Sequence, residues 1–243
     1  MRLNSLAAAL GLWASSGAWA SVGKVSALEG RATVFRQQGG KAVALEVGAE
    51  IGLGDRLAVS QGHLKFELND GSVIALGQGS ALTISEAVFE GQERRLFSVF
   101  LKAGKLWAKV KKALVQSKFE VSTERAVAGV RGTVFRIDAE TLIKGARGRK
   151  TVASLVQVSE GVVAVRPTES VARQSKPSGP KVGKGTRVQV PGPVEIGVEA
   201  WEKRYVELQR GGQIAVGLDL WEQSVVDAAA GKDAFAKWLE KNP

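Results

Sequence analysis

The sequence predicts a mainly β fold, either solenoid-like or a two-sheet β roll, with a short helical segment at its C-terminus. Three observations carry this. Apolar and polar residues alternate with period two over most of residues 21–167. Glycine-containing turns interrupt the alternation at short intervals, and helical spacing takes over only after residue 193.

Residues 1–20, MRLNSLAAALGLWASSGAWA, stand apart from the rest. Arg2, an apolar stretch from Leu6 to Ala14 and the small-x-small ending Ala18-Trp19-Ala20 form an export signal, with cleavage expected after Ala20. The stretch falls short of the roughly 18–20 residues that cross a bilayer, and no second run of that length follows. The mature product is therefore expected to begin at Ser21, without a transmembrane span, in the periplasm or secreted.

The β region occupies residues 21–167. In HLKFELNDGSVIAL, Leu64, Phe66 and Leu68 alternate with Lys65, Glu67 and Asn69 before Asp70-Gly71 turns the chain and Ser72 to Leu76 resumes it. Comparable units are VSALEGRATVFR, FEVST, TVFRID and SLVQVSEGVVAVR, separated by turns such as Gly54-Asp55, Gly79 and Gly91. The spacing V-x3-E-G-x3-V occurs twice, at Val25, Glu29, Gly30 and Val34 and again at Val156, Glu160, Gly161 and Val165. Such an echo is expected of stacked, similar turns.

Residues 168–193 are rich in proline, glycine and lysine and read as a loop region, with Thr186 to Val190 as one further edge strand. Residues 194–243 read as helical. Val198, Trp201, Tyr205 and Leu208 fall at helical spacing before Gly211-Gly212, a second helix is expected from Leu220 to Ala230, and a third from Ala234 to Lys241.

Composition narrows the chemistry. With no cysteine and a single histidine, His63, there is no disulfide, no thiolate nucleophile and no ligand set for zinc; neither a cofactor nor a metal is expected. The 34 basic side chains less Arg2 leave 33 against 24 acidic ones, a mature charge of +9. The excess is concentrated: eight basic and no acidic residues lie from Arg94 to Lys118, and five and none from Arg173 to Arg187. In the cytosol that asymmetry would point to nucleic acid. An exported chain meets lipid head groups, surface polysaccharide and cell-wall polymers instead, so no nucleic-acid partner is expected.

The candidate binding residues lie in LKAGKLWAKVKK. As a strand it places Lys105, Trp107, Lys109 and Lys111 on one face and Leu106, Ala108 and Val110 on the other. That cationic ladder with one indole suits an anionic sugar polymer. As a helix it would gather Leu96, Phe100, Ala103, Trp107, Val110 and Leu114 on one side, a basic amphipathic segment for an anionic membrane; Gly104 favours the strand. Catalytic candidates are weaker. His63 is accompanied by no nucleophile elbow, and Asp55, Asp70 and Glu120 are the carboxylates a glycosidase would need, though Asp55 and Asp70 adjoin turn glycines.

AVAGVRGTVFRIDAE, residues 126–140, places Arg131-Gly132 inside an apolar run. Even positions Ala128 and Val130 look inward before it, and odd positions Phe135 and Ile137 after it, with Arg136 and Asp138 looking out. That change of parity predicts a bulge or corner at Gly132 from which Arg131 projects. A phosphate loop would need a helix to follow, and TVFRID is strand-like.

Eight phrases in order make the chain resemble the FecR domain. They are Gly23-Lys24-Val25 with Gly30-Arg31-Ala32-Thr33-Val34, then Val47-Gly48, Leu53-Gly54-Asp55-Arg56-Leu57, Asp70-Gly71-Ser72-Val73 and Leu101 to Leu106. Phe119-Glu120-Val121-Ser122-Thr123, Val130-Arg131-Gly132-Thr133-Val134-Phe135 and Val158-Ser159-Glu160-Gly161-Val162-Val163 complete the series. The resemblance, over about Val22 to Val165, implies a β-rich extracytoplasmic domain without known catalytic activity, in which Gly54, Asp55, Asp70, Gly71, Arg131, Gly132, Thr133, Glu160 and Gly161 are structural motif positions. Well-understood members are transmembrane sensors linking an outer-membrane siderophore receptor to a cytoplasmic sigma factor. The N-terminal position of the hydrophobic segment here departs from that arrangement. The expected function is accordingly an exported, non-catalytic binding or scaffolding module that engages an anionic envelope polymer. The alternatives are a sensor or regulatory partner of another envelope protein, and an envelope polysaccharide hydrolase.

Overall fold

The computed structural model describes residues 21–36, 40–112, 117–144, 150–174, 206–217, 220–225 and 233–242. The expected export signal, residues 1–20, lies outside them. The described chain runs through β1 (Ser21–Phe35), β2 (Ala42–Ala44), β3 (Glu50–Gly52), β4 (Arg56–Leu68), β5 (Val73–Leu76), β6 (Ala81–Glu90), β7 (Glu93–Ala103), β8 (Lys105–Lys109) and β9 (Lys118–Ser122). It continues through β10 (Ala126–Val130), β11 (Val134–Lys144), β12 (Lys150–Glu160), β13 (Val162–Pro167), α1 (Glu169–Gln174), β14 (Val206–Gln209), β15 (Gly212–Gly217), β16 (Leu220–Val225) and α2 (Ala234–Lys241).

The architecture branches at β4. One edge of β4 pairs with β1 along its length; on the other, Arg56–Ala58 pair with β6 and Leu64–Glu67 with β5. A first arm extends from β6 through β7, β9, β10, β13 and β14, and a second from β5 through β8, β11, β12, β15 and β16. The arms form the two sheets of a β roll, with one apolar core contributed by both. The sequence expectation of a mainly β fold with a short C-terminal helix is met.

Period-two alternation builds that core. In β8, Leu106 and Ala108 are fully buried while Lys105, Trp107 and Lys109 face the other way. Phe66, Phe97, Phe119 and Phe135 are fully buried, each contributing about 1.5–3 kcal/mol through removal from water. The β7–β9 pair is parallel because the chain leaves the first arm to form β8 and then returns.

Glycine pairs make the corners. Gly30 and Gly62 are cross-strand partners at the bend of the β1–β4 hairpin, with φ of 88° and 77°. A Cβ on Gly62 would sit 2.0 Å from the Glu29 carbonyl oxygen, and one on Gly30 2.3 Å from that of Gln61. The strands therefore approach more closely than any side chain permits. At the other corner the chain crosses from β10 in the first arm to β11 in the second through Arg131, Gly132 and Thr133. Gly161, turning β12 into β13, packs on that crossing, where a Cβ would lie 2.8 Å from the Gly132 carbonyl oxygen. The two Glu-Gly pairs of the sequence echo thus sit at the two places where a hairpin passes between arms.

The C-terminal region differs from expectation. The first predicted helix gives way to β14, and Gly211 (φ 79°), read as a helix stop, is the turn at which the chain passes from β14 in the first arm to β15 in the second. The predicted helix from Leu220 begins instead as β16. Two open sheet edges explain this: β14 pairs with β13 and β15 with β12, and those backbone bonds outweigh local spacing. Val198 to Tyr205 and residues 226–230 lie outside the described residues, as does the expected strand at Thr186–Val190; α1 occupies the start of the expected loop. The third helix is present as α2, with the expected bounds.

Candidate functional site

The outer face of the second arm, away from the core, carries the polar chemistry. Its central cross-strand row runs Ala27, Lys65, Ala75, Trp107, Arg136, Gln157 and Gln213. Two residues along the strands on one side, Glu29 pairs with His63 and Lys105 with Asp138. On the other side, Glu67 pairs with Val73, Val73 with Lys109, Lys109 with Val134 and Val134 with Glu160.

Helix α2 lies across this face. Asp233 is its N-cap, accepting a hydrogen bond from the Ala236 backbone N–H at 2.9 Å. The same carboxylate receives Lys105 Nζ at 2.7 Å and both terminal guanidinium nitrogens of Arg136, at 2.6 and 3.1 Å. Arg136 Nε donates at 2.8 Å to Asp138, completing a charge-assisted cluster. Partial burial opposes ionisation of Asp233, but the bonds from Arg136 and Lys105 outweigh it and hold the carboxyl well below the usual carboxylate range. For Arg136, burial disfavours the charge, yet its bonds to Asp233 and Asp138 raise its pKa above the ordinary value.

Aromatic packing supports the clamp. Phe235 and Trp238 are buried against Ala75, with Trp107, Ala27 and Leu239 partly covered beside them. The His63 ring stacks on Phe235 at 5.4 Å between centroids and meets Trp238 at 5.1 Å. Arg136 lies 5.8 Å from the Phe235 ring centroid. At the far end of the helix Lys65 Nζ donates to the Asn242 carbonyl at 2.8 Å.

Alongside the helix runs a groove of about 640 Å³, bounded by α2, by β8, β11 and β12, and by the β14–β15 turn. Trp107, Lys109, Arg136, Glu160, Arg210 and Glu240 contribute its polar and aromatic lining. Trp107 is half-buried, while Lys109, Glu160, Arg210 and Glu240 are exposed and form no ion pair among the described residues.

The predicted ladder is therefore divided. Lys105 belongs to the helix clamp, Trp107 and Lys109 to the groove, and Lys111 lies beyond the strand end with its Nζ over Gly71. Asp70 accepts from the Ser72 backbone N–H and hydroxyl, both at 2.9 Å, and pairs with the buried guanidinium of Arg94, which also donates to the Lys111 carbonyl at 3.2 Å. Asp55 is fully buried, accepting from the Gly52 N–H at 2.8 Å and pairing with Arg36, while Gly54 N–H bonds the Ile84 carbonyl at 2.9 Å. Glu120 pairs with Lys118 at 3.1 Å. Arg131 is exposed at the corner, Thr133 is buried and its carbonyl receives the Val110 N–H at 2.8 Å, and Glu160 reaches the groove. Asp55 and Asp70 are thus occupied by turn and arginine bonds, and His63 by the rings of α2.

Sequence reasoning missed Asp233, Arg136 and Arg210. Asp233 directly precedes an amphipathic run, which is an N-cap signal, but nothing in the sequence says where that helix docks.

Residues 55–164 match the family model described as FecR protein. No curated protein matches the chain. Two crystal structures, at 1.65 and 2.50 Å resolution, of a protein proposed to be an anti-sigma factor from Parabacteroides distasonis are similar to it. Each is 18% identical, with a TM-score of 0.46, over 71% of this chain and 60% of that one. The chain thus spans less than two thirds of those proteins' length. The resemblance to the FecR family is thus carried by residues 55–164 of the chain.

Proposed function

We propose that the chain is an exported, non-catalytic binding or scaffolding module of the cell envelope, periplasmic or secreted after cleavage at Ala20, and that it engages an anionic envelope polymer. The observation that carries the reading is the outer edge of β8. Lys109 and Lys111 are exposed and without an ion pair among the described residues; Lys109 lines the groove beside the half-open indole of Trp107, and Lys111 follows it just beyond the strand end. Charge supplies attraction and the ring supplies a stacking surface for a sugar. No helix among the described residues is long and apolar enough to cross a membrane.

The test is retention on purified envelope polymer at low salt. Lys109→Ala with Lys111→Ala should weaken it severalfold, and unchanged retention would sink the polymer reading. Lys105 is left intact because it holds α2 through Asp233.

A second reading, a regulatory partner of another envelope protein, draws support from the FecR match. Removing residues 198–243 would be an unsuitable test of it, because β14 and β15 complete both arms. Phe235→Ala with Trp238→Ala frees the helix alone. Loss of a co-purifying protein from that variant supports the second reading, and full retention of the partner counts against the helix as its contact.

A further inference from the structure

We propose that the groove beside α2 is a glycan site selective for saccharides that carry both charge signs, namely amino-sugar chains with short peptides that bear free carboxylate and amine groups. This rests on the envelope-polymer reading and narrows its ligand.

The groove's volume, about 640 Å³, falls within the range of roughly 300–1,000 Å³ typical of small-ligand sites. Its lining is not that of a polyanion channel. Lys109 and Arg210 offer two cations, and Glu160 and Glu240 two carboxylates, all exposed. Lys109 and Glu160 both pair with Val134, one from each side, so their Cα atoms stand about 10 Å apart, two strand spacings. A saccharide resting on Trp107 would meet both charges of that row together. The buried guanidinium of Arg136 is already bonded to Asp138 and Asp233, so it positions the wall and leaves Lys109 and Arg210 to take a ligand carboxylate. A purely anionic chain gains from those two cations and is repelled by Glu160 and Glu240. A ligand of mixed charge satisfies all four, so like-charge repulsion makes the discrimination.

The wall opposite the sheet is α2, through Ala236, Leu239 and Glu240. The site is complete only with the helix docked, so occupancy and docking stabilise each other by linkage.

Calorimetry on the intact chain decides the matter with three probes of similar size: a disaccharide-peptide with free amine and carboxylates, an oligogalacturonate, and a neutral chito-oligosaccharide. The disaccharide-peptide is expected to bind about tenfold tighter than the oligogalacturonate. Trp107→Ala should weaken it about tenfold as well. Glu160→Gln with Glu240→Gln should bring the preference to parity or reverse it toward the oligogalacturonate. Tighter oligogalacturonate binding by the unaltered chain, or an unchanged ratio in the double variant, overturns the mixed-charge site and leaves the anionic-polymer reading standing. Binding of none of the three overturns both.

Discussion

Asp233 and Arg136 are 97 residues apart in the chain and 2.6 Å apart in the fold. That pair fastens the last helix to the outer sheet, and it does so with a carboxylate that is also the helix N-cap. One side chain therefore starts α2 and seats it. An eight-residue helix has little stability of its own, so seating and formation are coupled.

Asp233→Ala is expected to release α2 while leaving the β roll folded, because the main core contains no residue of the helix. Loss of a cap and of three charge-assisted bonds should weaken docking by about 2 kcal/mol. Arg136 keeps Asp138 as a partner, which limits the cost of its lost bond. Amide hydrogen exchange checks this: residues 234–241 should exchange some tenfold or more faster, with protection in β4, β8 and β11 unchanged. Unaltered protection of α2 would show that the aromatic contacts alone hold it.

Helix docking should also weaken in acid. Partial burial lowers the His63 pKa from its ordinary 6.5, against the opposing charges of Glu29 and Asp233. The folded state thus disfavours the protonated ring. The stability tied to neutral His63 is present above the unfolded value near 6.5 and is lost as pH falls through the lower folded value. Asp233 stays ionised in that window because its carboxyl is held well below the usual range. Exchange of the α2 amides, corrected for the intrinsic pH effect, should accelerate as pH falls below about 6.5, and His63→Phe should flatten the profile. A flat profile in the unaltered chain would contradict the coupling.

How much of this was legible beforehand depends on the range of the interaction. The parity of Leu106, Ala108 and Val110 against Lys105, Trp107 and Lys109 is a local property of a strand, and it survives intact. So does the change of parity at Gly132, which reflects the chain's passage from one arm to the other. The segment around Leu208 departs from helical spacing because its strand state is decided by the edge of β13, about 45 residues earlier, and Leu220 follows because β16 adds to β15, which is itself seated on the edge of β12. The ladder was read as a free cationic surface for the same reason. The partner of Lys105 is Asp233, 128 residues away, and no local pattern announces it.

The glycine corners separate two costs that positive φ alone confounds. Gly62 and Gly79 share φ of 77°, so a side chain at either is strained by the backbone to a similar extent. They differ in space: a Cβ at Gly79 meets nothing within 4 Å, whereas at Gly62 it meets the Glu29 carbonyl oxygen at 2.0 Å and the Glu29 carbonyl carbon at 2.7 Å. Gly79→Ala should therefore cost about 1 kcal/mol, the left-handed penalty for an L-residue. Gly62→Ala must in addition push β1 away from β4 at the bend where the arms diverge, and should cost upward of about 3 kcal/mol. Denaturant midpoints of the two variants, compared at constant m-value, give the difference directly. Equal midpoints would mean that the hairpin opens at the corner without loss, and that close backbone approach at Gly30 and Gly62 is not what bends the sheet.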